Sequence, residues 1–286
     1  MECLGYKFCS TRMTLENLDG IKVFIIESLR NGDKKTGEDL KDNLRQIWYD
    51  QNLISDFDCQ YTYVHDSNDL IFIIKDIEKQ VTTSNKLPIL QIECHGSSDG
   101  LQLGSMEMVT WKELFNYIRP INIASYNLLM LNLSMCNGET VIRYIDPTQR
   151  APFRAVTGPI GEVLPEVLEK AWLCFYENYI KALTEDYGLH KLAQSSGLIY
   201  YTQEFIFDAY YDLANQNPEL FEALRKKELY EMYVAEGPLL IDPKVHSLWV
   251  AKEQAKIKEK YRSMFCYDDL KSLQQEAYNK LKQSEE

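Results

Sequence analysis

Short apolar runs alternate with segments of helical periodicity through the first part of the chain. Residues 20–26, 60–64 and 87–94 are apolar runs of strand length, bounded by turn residues. Two intervening segments carry apolar residues at the spacing of a helix face: Leu40, Leu44, Ile47 and Trp48 in one, and Leu70, Ile73, Ile74, Ile77 and Val81 in the other. Asp66 stands before the second segment as its expected N-cap. Strands that alternate with amphipathic helices predict an α/β fold with a parallel sheet.

A fourth apolar run of strand length lies at residues 127–135, and an insertion separates it from the run at 87–94. Residues 97–100 are typical of a turn, and residues 101–103 predict a brief strand or hairpin arm. The sequence from Thr110 to Glu113 is a capping box, which predicts a helix that runs through Ile118 and ends at Pro120. One crossover of this kind allows the strands at 87–94 and 127–135 to lie side by side.

The later part of the chain divides into two kinds of sequence. Residues 138–145 predict a short helix, residues 153–157 a strand, and residues 163–183 a long helix whose apolar positions are Leu164, Val167, Leu168, Ala171, Trp172, Phe175, Tyr179 and Ile180. From about residue 201 strand signals cease, and helix formers are interrupted by Pro218, Pro238 and Pro243. We therefore expect an α/β domain over residues 1–200 and an all-helical appendage over residues 201–286.

Composition narrows the classes of protein and of partner. The net charge of −12 and the pI near 5.0 argue against nucleic acid or an anionic membrane as a direct partner. Seven cysteines, odd in number and without C-x-x-C spacing, are typical of reduced thiols in the cytoplasm. The sequence has no ligand cluster at metal-binding spacing, no phosphate-binding loop and no apolar span of about twenty residues. We expect no metal, no cofactor and no membrane segment.

Two reactive side chains follow the central strands. His95 comes at the end of the strand that begins at Leu87, and Cys136 comes at the end of the strand at 127–135. The carboxyl edge of a parallel sheet is where ligands bind, so a thiol and an imidazole delivered there can act as nucleophile and base. Cys94 would point to the opposite face and is expected in the core. The other histidines, which lack such a context, are His65, His190 and His246.

Three blocks of sequence carry a resemblance to a known family. Residues 89–96 (ILQIECHG), 99–103 (DGLQL) and 129–136 (LMLNLSMC) resemble the His-Gly and Cys blocks of caspase-like cysteine peptidases, and most closely those of the CHAT branch related to separase. The resemblance covers residues 20 to 200 and includes Phe175-Tyr176. It implies a mostly parallel sheet flanked by helices. It also implies Cys136 as nucleophile, His95 as general acid and base, and the backbone N–H groups of Gly96 and Cys136 as an oxyanion hole.

The resemblance also bears on the substrate. In several caspase-like branches an acidic residue two positions before the nucleophile holds a basic P1 side chain, but that position is Ser134 here. Asp99, Glu139 and Asp146 are nearby acids that could substitute, and a neutral P1 residue is equally open. The expected partner is a peptide or protein bound in an extended form, together with an activating or substrate-presenting protein. Relatives of this kind are regulatory proteases that cut one or few proteins in bacterial defence or programmed cell death.

Two alternatives remain at this stage. The string from Gly96 to Gly100 satisfies the G-x-S-x-G pattern, which would make Ser98 the nucleophile of an α/β-hydrolase if a helix began at that serine. The second alternative is a non-catalytic interaction module. It is suggested by an apolar stripe in the appendage, formed by Trp249, Ile257, Tyr261 and Phe265. In an interaction module this stripe would bind a larger assembly; otherwise it would pack on the α/β domain.

Overall fold

A computed structural model describes most of the chain and divides it into two compact units. The described residues are 20–51, 57–84, 86–185, 193, 196–216, 252, 255–256 and 258–276. The first unit contains the described residues up to 145, together with 151–202 and those from 270 onward. The second unit contains residues 146–150 and the described residues of 203–269.

A six-stranded sheet with a small hairpin forms the centre of the first unit. Its elements in chain order are β1 (Ile21–Ser28), α1 (Thr36–Asp50), β2 (Cys59–Tyr63), α2 (Ser67–Thr83), β3 (Leu87–Gly96), β4 (Gly100–Gln102), β5 (Met108–Thr110), α3 (Trp111–Ala124), β6 (Met130–Ser134), a 3₁₀ helix (Gly138–Tyr144), β7 (Ala155–Gly158), α4 (Pro165–Glu185) and β8 (Ile199–Thr202). The strand order is β2-β1-β3-β6-β7-β8. All neighbours on this path are parallel except β8, which runs antiparallel to β7. The predicted α/β fold with a mostly parallel sheet is confirmed.

Helices α1 and α4 share one core with the sheet. Leu44 of α1 and Phe175 of α4 are fully buried in a cluster with Val23 of β1 and Ile89 of β3. Helices α2 and α3 pack against each other. The predicted caps of these two helices are present: Asp66 accepts from the N–H of Asp69, and the capping box at Thr110 is complete. The predicted hairpin arm is also confirmed, because β4 pairs with both β3 and β5.

Three local predictions were wrong. Helix α3 continues through Pro120 to Ala124, because burial of Ile121 and Ala124 holds the final turn in place. Strand β8 was not predicted; it is only four residues long, and its IYYT sequence gives no clear alternation. At the start of α4 two side chains assigned to the apolar face are exposed, namely Leu164 (68%) and Val167 (55%).

Apart from the turn at residues 146–150, the described part of the second unit is mainly helical, as predicted for the appendage. It contains α5 (Gln203–Gln216) and helical residues 258–265. Two members of the predicted apolar stripe, Tyr261 and Phe265, are buried, and the Phe265 ring lies 5.6 Å from that of Phe207 in the same unit. The other two, Trp249 and Ile257, lie outside the described residues, as do His190, His246 and the three prolines that interrupt the appendage. None of the described helices combines the length and the hydropathy needed to cross a membrane.

Candidate active site

The register of β3 and β6 places His95 and Cys136 at neighbouring positions on one edge of the sheet. Glu93 of β3 pairs with Ser134 of β6. His95 stands two residues further along β3, and Cys136 stands two residues beyond the end of β6, in the turn that follows the strand. The two predicted catalytic side chains are therefore delivered by adjacent strands to the same edge.

Both side chains line one cleft at the carboxyl edge of the sheet. The cleft has a volume of about 310 Å³. Its lining combines the ends of β3 and β6 with the loop before α1 and the first turns of α4: Leu29, Asp33, Lys34, Thr36, Leu40, Glu93, Cys94, His95, Ser134, Met135, Cys136, Val163, Pro165, Leu168, Glu169 and Trp172. A cleft of this size is suited to one side chain or a short peptide segment.

The imidazole has a carboxylate partner that was not predicted. Nε2 of His95 lies 2.8 Å from Oδ2 of Asp33, in the loop that follows β1. The same oxygen of Asp33 accepts from the N–H of Arg30 at 2.9 Å. The hydrogen bond with His95 is the main cause that lowers the pKa of the Asp33 carboxyl, and partial burial opposes it. A carboxylate at Nε2 favours the tautomer whose proton is on Nε2, so Nδ1 is the nitrogen able to accept a proton.

The thiol of Cys136 is not hydrogen-bonded to the imidazole. It is partly exposed and donates to the carbonyl oxygen of Val163 at 3.7 Å. Proton transfer to His95 therefore requires this hydrogen bond to break. Cys94, by contrast, is buried as predicted, and burial raises the pKa of its thiol.

Glycine is required at position 96 because two backbone segments pack closely there. A Cβ at Gly96 would lie 2.1 Å from the carbonyl oxygen of Cys136 and 2.8 Å from Cγ of Met135. In the structure the missing side chain lets the backbone of Cys136 pack directly against β3.

The N–H group of Gly96, one of the two in the predicted oxyanion hole, points away from the hairpin strand β4. The N–H of Ser97 donates to the carbonyl of Gly100 at 2.9 Å. Because hydrogen-bonded and non-hydrogen-bonded pairs alternate in an antiparallel ladder, the next pair, Gly96 with Leu101, leaves the N–H of Gly96 pointing away from β4. Within the described residues the N–H of Cys136 donates to no acceptor. Both groups are thus compatible with binding an oxyanion, which remains a prediction.

The four candidate substrate-binding residues separate into one at the cleft and three away from its lining. Ser134 lines the cleft. The other three are engaged locally: Asp99 accepts from the hydroxyl of Tyr144 at 2.6 Å, Glu139 accepts from the N–H of Gly161 at 3.1 Å, and Asp146 accepts from the N–H and hydroxyl of Thr148 at 2.9 and 2.7 Å.

A row of buried polar side chains lies at the floor of the cleft, and Glu93 is the carboxyl group of this row that lines it. Glu93 is 2% exposed and accepts from the hydroxyl of Thr36 and the amide of Gln91, each at 2.8 Å. Burial raises the pKa of Glu93 to about 7, although hydrogen bonds from Ser134, Gln91 and Thr36 oppose the shift. Its register partner on β1, Glu27, is fully buried and accepts from the N–H of Gly37 and the hydroxyl of Tyr61. This row was not predicted as part of the site.

Ser98 lacks the geometry of a nucleophile elbow. It lies exposed in the turn between β3 and β4, and a strand follows it. The next helix begins only at Trp111. The α/β-hydrolase alternative, which requires a helix that starts at the serine, is not supported.

Comparison with known proteins assigns no family to the chain: no protein-family model matches it, and no curated protein matches it. In the part of the chain that the structure describes, no group of three or more His, Cys, Asp or Glu residues could hold a metal ion. The molecule is thus defined by its α/β fold and by a cleft that joins an Asp-His pair with a cysteine.

Proposed function

We propose that this protein is a cysteine endopeptidase in which Cys136 is the nucleophile and His95 is the general acid and base. The observation that carries the proposal is the shared cleft, where adjacent parallel strands deliver the thiol and an imidazole already anchored by Asp33. The resemblance of the two strand-terminal blocks to caspase-like peptidases of the CHAT branch supports the same assignment.

The proposed reaction begins with proton transfer from the Cys136 thiol to Nδ1 of His95. The thiolate then attacks the carbonyl carbon of the scissile bond, and the N–H groups of Gly96 and Cys136 stabilise the negative oxygen that forms. His95 returns the proton to the leaving amine, so that an acyl-enzyme remains on sulfur. Water, deprotonated by His95, releases the carboxylic acid and restores the thiol. Asp33 stabilises the imidazolium in both half-reactions.

The hydrogen bond from Cys136 to Val163 corresponds to a resting state in this proposal. The base is oriented by Asp33 while the thiol is hydrogen-bonded to a backbone carbonyl, so in this proposal that hydrogen bond breaks when substrate or a partner protein binds. This is consistent with a regulatory peptidase that cuts one or few proteins, as in bacterial defence or programmed cell death. The five described cysteines are all free, which suits a reducing cytoplasm. The proposed mechanism uses no metal or cofactor.

The proposal is tested by mapping thiol reactivity and cleavage together. The protein is treated with a mixture of peptidyl acyloxymethyl ketones and, separately, with a diverse peptide library, and both are read by mass spectrometry. We expect covalent labelling at Cys136 and cleavage products from the library. Both should be lost in His95→Ala, whereas His65→Ala, which changes an exposed histidine outside the cleft lining, should retain both. Absence of labelling at Cys136 and of cleavage, with or without lysate from the source cells, would refute the proposal.

A further inference from the structure

One ion pair connects two segments that line the cleft. The ammonium of Lys34, in the loop before α1, is hydrogen-bonded to a carboxylate oxygen of Glu169 on α4. It also lies 3.7 Å from Asp39, so it is held between α1 and α4. Among the described ion pairs of lysine or arginine, the one between Lys34 and Glu169 is the one whose two members both line the cleft.

The two segments come from opposite sides of the strands that carry the site. The loop at residues 29–35 follows β1, and α4 follows β7. In the sheet, β1 and β7 lie on either side of the central pair β3 and β6. His95 and Cys136 stand at the ends of this central pair. The ion pair therefore joins the walls that rise on either side of the imidazole and the thiol.

Each wall also contacts one member of the proposed catalytic pair. Asp33, which immediately precedes Lys34, is hydrogen-bonded to His95. On the other wall, just before α4 begins, the carbonyl oxygen of Val163 accepts from the thiol of Cys136. The ion pair thus ties the segment that orients the base to the segment that retains the thiol.

The ion pair is placed to be opened without a change of fold. The side chains of Lys34 and Glu169 are 43% and 21% exposed. Because water solvates the separated charges at such exposure, an ion pair of this kind changes an equilibrium constant by no more than about fivefold. Both side chains are long and flexible, so they can separate by side-chain rotation alone. The position of this ion pair, more than its strength, gives it a role at the cleft.

We propose that the ion pair between Lys34 and Glu169 is a strap that closes the cleft in the resting state and opens when a polypeptide segment enters. Closed, the strap restricts the approach of bulky groups to Cys136 and leaves room for small ones. Control of access to the thiol does not depend on any reaction. Its use to regulate proteolysis rests on the proposed peptidase function.

The first arm of the test measures access to the thiol without catalysis. N-ethylmaleimide and N-(1-pyrenyl)maleimide carry the same reactive ring on groups of different size, and the rate of labelling at Cys136 is followed by mass spectrometry for each. The ratio of the bulky to the small rate reports access, since thiol reactivity affects both. We expect this ratio to rise about three- to fivefold in Lys34→Met and in Glu169→Gln. Lys86→Met, which removes an ion pair with Asp58 outside the cleft lining, is the matched control and should leave the ratio unchanged.

The second arm tests whether the two residues act as a unit. The double variant Lys34→Met/Glu169→Gln should have no larger effect than either single change, because either change already removes the ion pair. Exchange of the charges, Lys34→Glu with Glu169→Lys, should restore part of the wild-type ratio. In about 0.5 M NaCl the wild-type ratio should rise toward that of the variants, whose own ratios should change little.

The outcomes distinguish the strap from the peptidase proposal. An unchanged ratio in both single variants, or effects that multiply in the double variant, would overturn the strap, and peptide cleavage by the same proteins would leave the peptidase intact. A raised ratio with no cleavage of the peptide library and no labelling by peptidyl acyloxymethyl ketones would support the strap and refute the peptidase. A raised ratio accompanied by a similar rise in kcat/KM for Glu169→Gln, expressed mainly in KM, would support both.

Discussion

The rim and the floor of the cleft each hold a carboxyl group, and their surroundings differ in two respects. At the rim, the side chain of Asp33 is 34% exposed, and its hydrogen bond to His95 lowers its pKa. At the floor, Glu93 is 2% exposed and has only neutral hydrogen-bond donors, so burial raises its pKa to about 7. The same functional group is thus stabilised as an anion in one place and penalised as an anion in the other.

This difference separates orientation of the base from stability of the fold. A carboxylate that keeps its charge at the rim can hold an imidazole in one tautomer and stabilise its protonated form. A carboxyl group that is penalised as an anion at the floor is most stable in its protonated form. We therefore expect changes at the rim to affect the rate of the reaction, and changes at the floor to affect stability and its pH dependence.

The largest expected effect is at the rim. Cys136→Ala should lower turnover of any cleaved peptide by about 1,000-fold or more, because the variant has no nucleophile to form the acyl-enzyme. Initial rates with a fluorogenic peptide chosen from the library would measure the loss. Ser98→Ala, the matched change in the exposed turn, should remain within about twofold of the wild type. The reverse pattern would restore the hydrolase alternative.

The next largest effect is that of Glu93, at the floor, on the free energy of unfolding. With a pKa of about 7 in the folded state and 4.5 when unfolded, the contribution of Glu93 is fully present below pH 4.5 and is lost as pH rises through 7. The difference of 2.5 units corresponds to about 3 kcal/mol. Urea unfolding followed by circular dichroism should show wild type losing most of that amount relative to Glu93→Gln between pH 5 and pH 8.

The rim provides the opposite case as a control. The pKa of Asp33 is lowered, so its stabilising contribution is present above its unfolded value of 3.8 and is lost only as pH falls below that value. Ionisation of the Asp33 carboxyl therefore contributes no pH dependence of stability between pH 5 and pH 8. Parallel pH profiles for wild type and Glu93→Gln would show that Glu93 does not titrate in this range.

A smaller effect on rate is expected from the carboxylate at the rim. Asp33→Ala should lower kcat by about 10- to 100-fold with little change in KM, because His95 loses the group that orients it and stabilises its charge. Asp33→Asn should recover part of this loss, since an amide oxygen still accepts from Nε2 but carries no charge. Steady-state kinetics would measure both variants. An activity within twofold of wild type for Asp33→Ala would contradict the orienting role.

Local sequence patterns were sufficient to predict much of the scaffold. Asp66 and the capping box at Thr110 are short-range signals, since each is satisfied within three residues. The two apolar runs that became β3 and β6 were separated by one crossover, which left few arrangements other than parallel neighbours. The delivery of His95 and Cys136 to one edge followed from this topology.

The partners of the site could not be predicted in the same way because they depend on long-range packing. Asp33 lies 62 positions before His95, and only the pairing of β1 with β3 brings their loops together. The position of Asp33 in the loop that follows β1 could have indicated a side chain at the carboxyl edge of the sheet. Glu93 was passed over because the strand was read as an apolar run, although Glu27, Gln91 and Glu93 interrupt two buried strands with polar side chains. Such interruptions in a buried strand indicate a polar network or a ligand.

The smallest expected effect comes from one hydrogen bond to the floor carboxyl. The hydroxyl of Thr36 donates to Oε2 of Glu93 at 2.8 Å and lowers its pKa, so its removal should cost more when Glu93 is ionised. Thr36→Val, which preserves the shape, should destabilise by about 1 kcal/mol at pH 5 and about 2 kcal/mol at pH 8. Thr36→Ser keeps the donor and should lack this pH dependence. Because the hydroxyl of Thr36 donates to Glu93, equal costs of Thr36→Val at both pH values would mean that the Glu93 carboxyl is not ionised at pH 8.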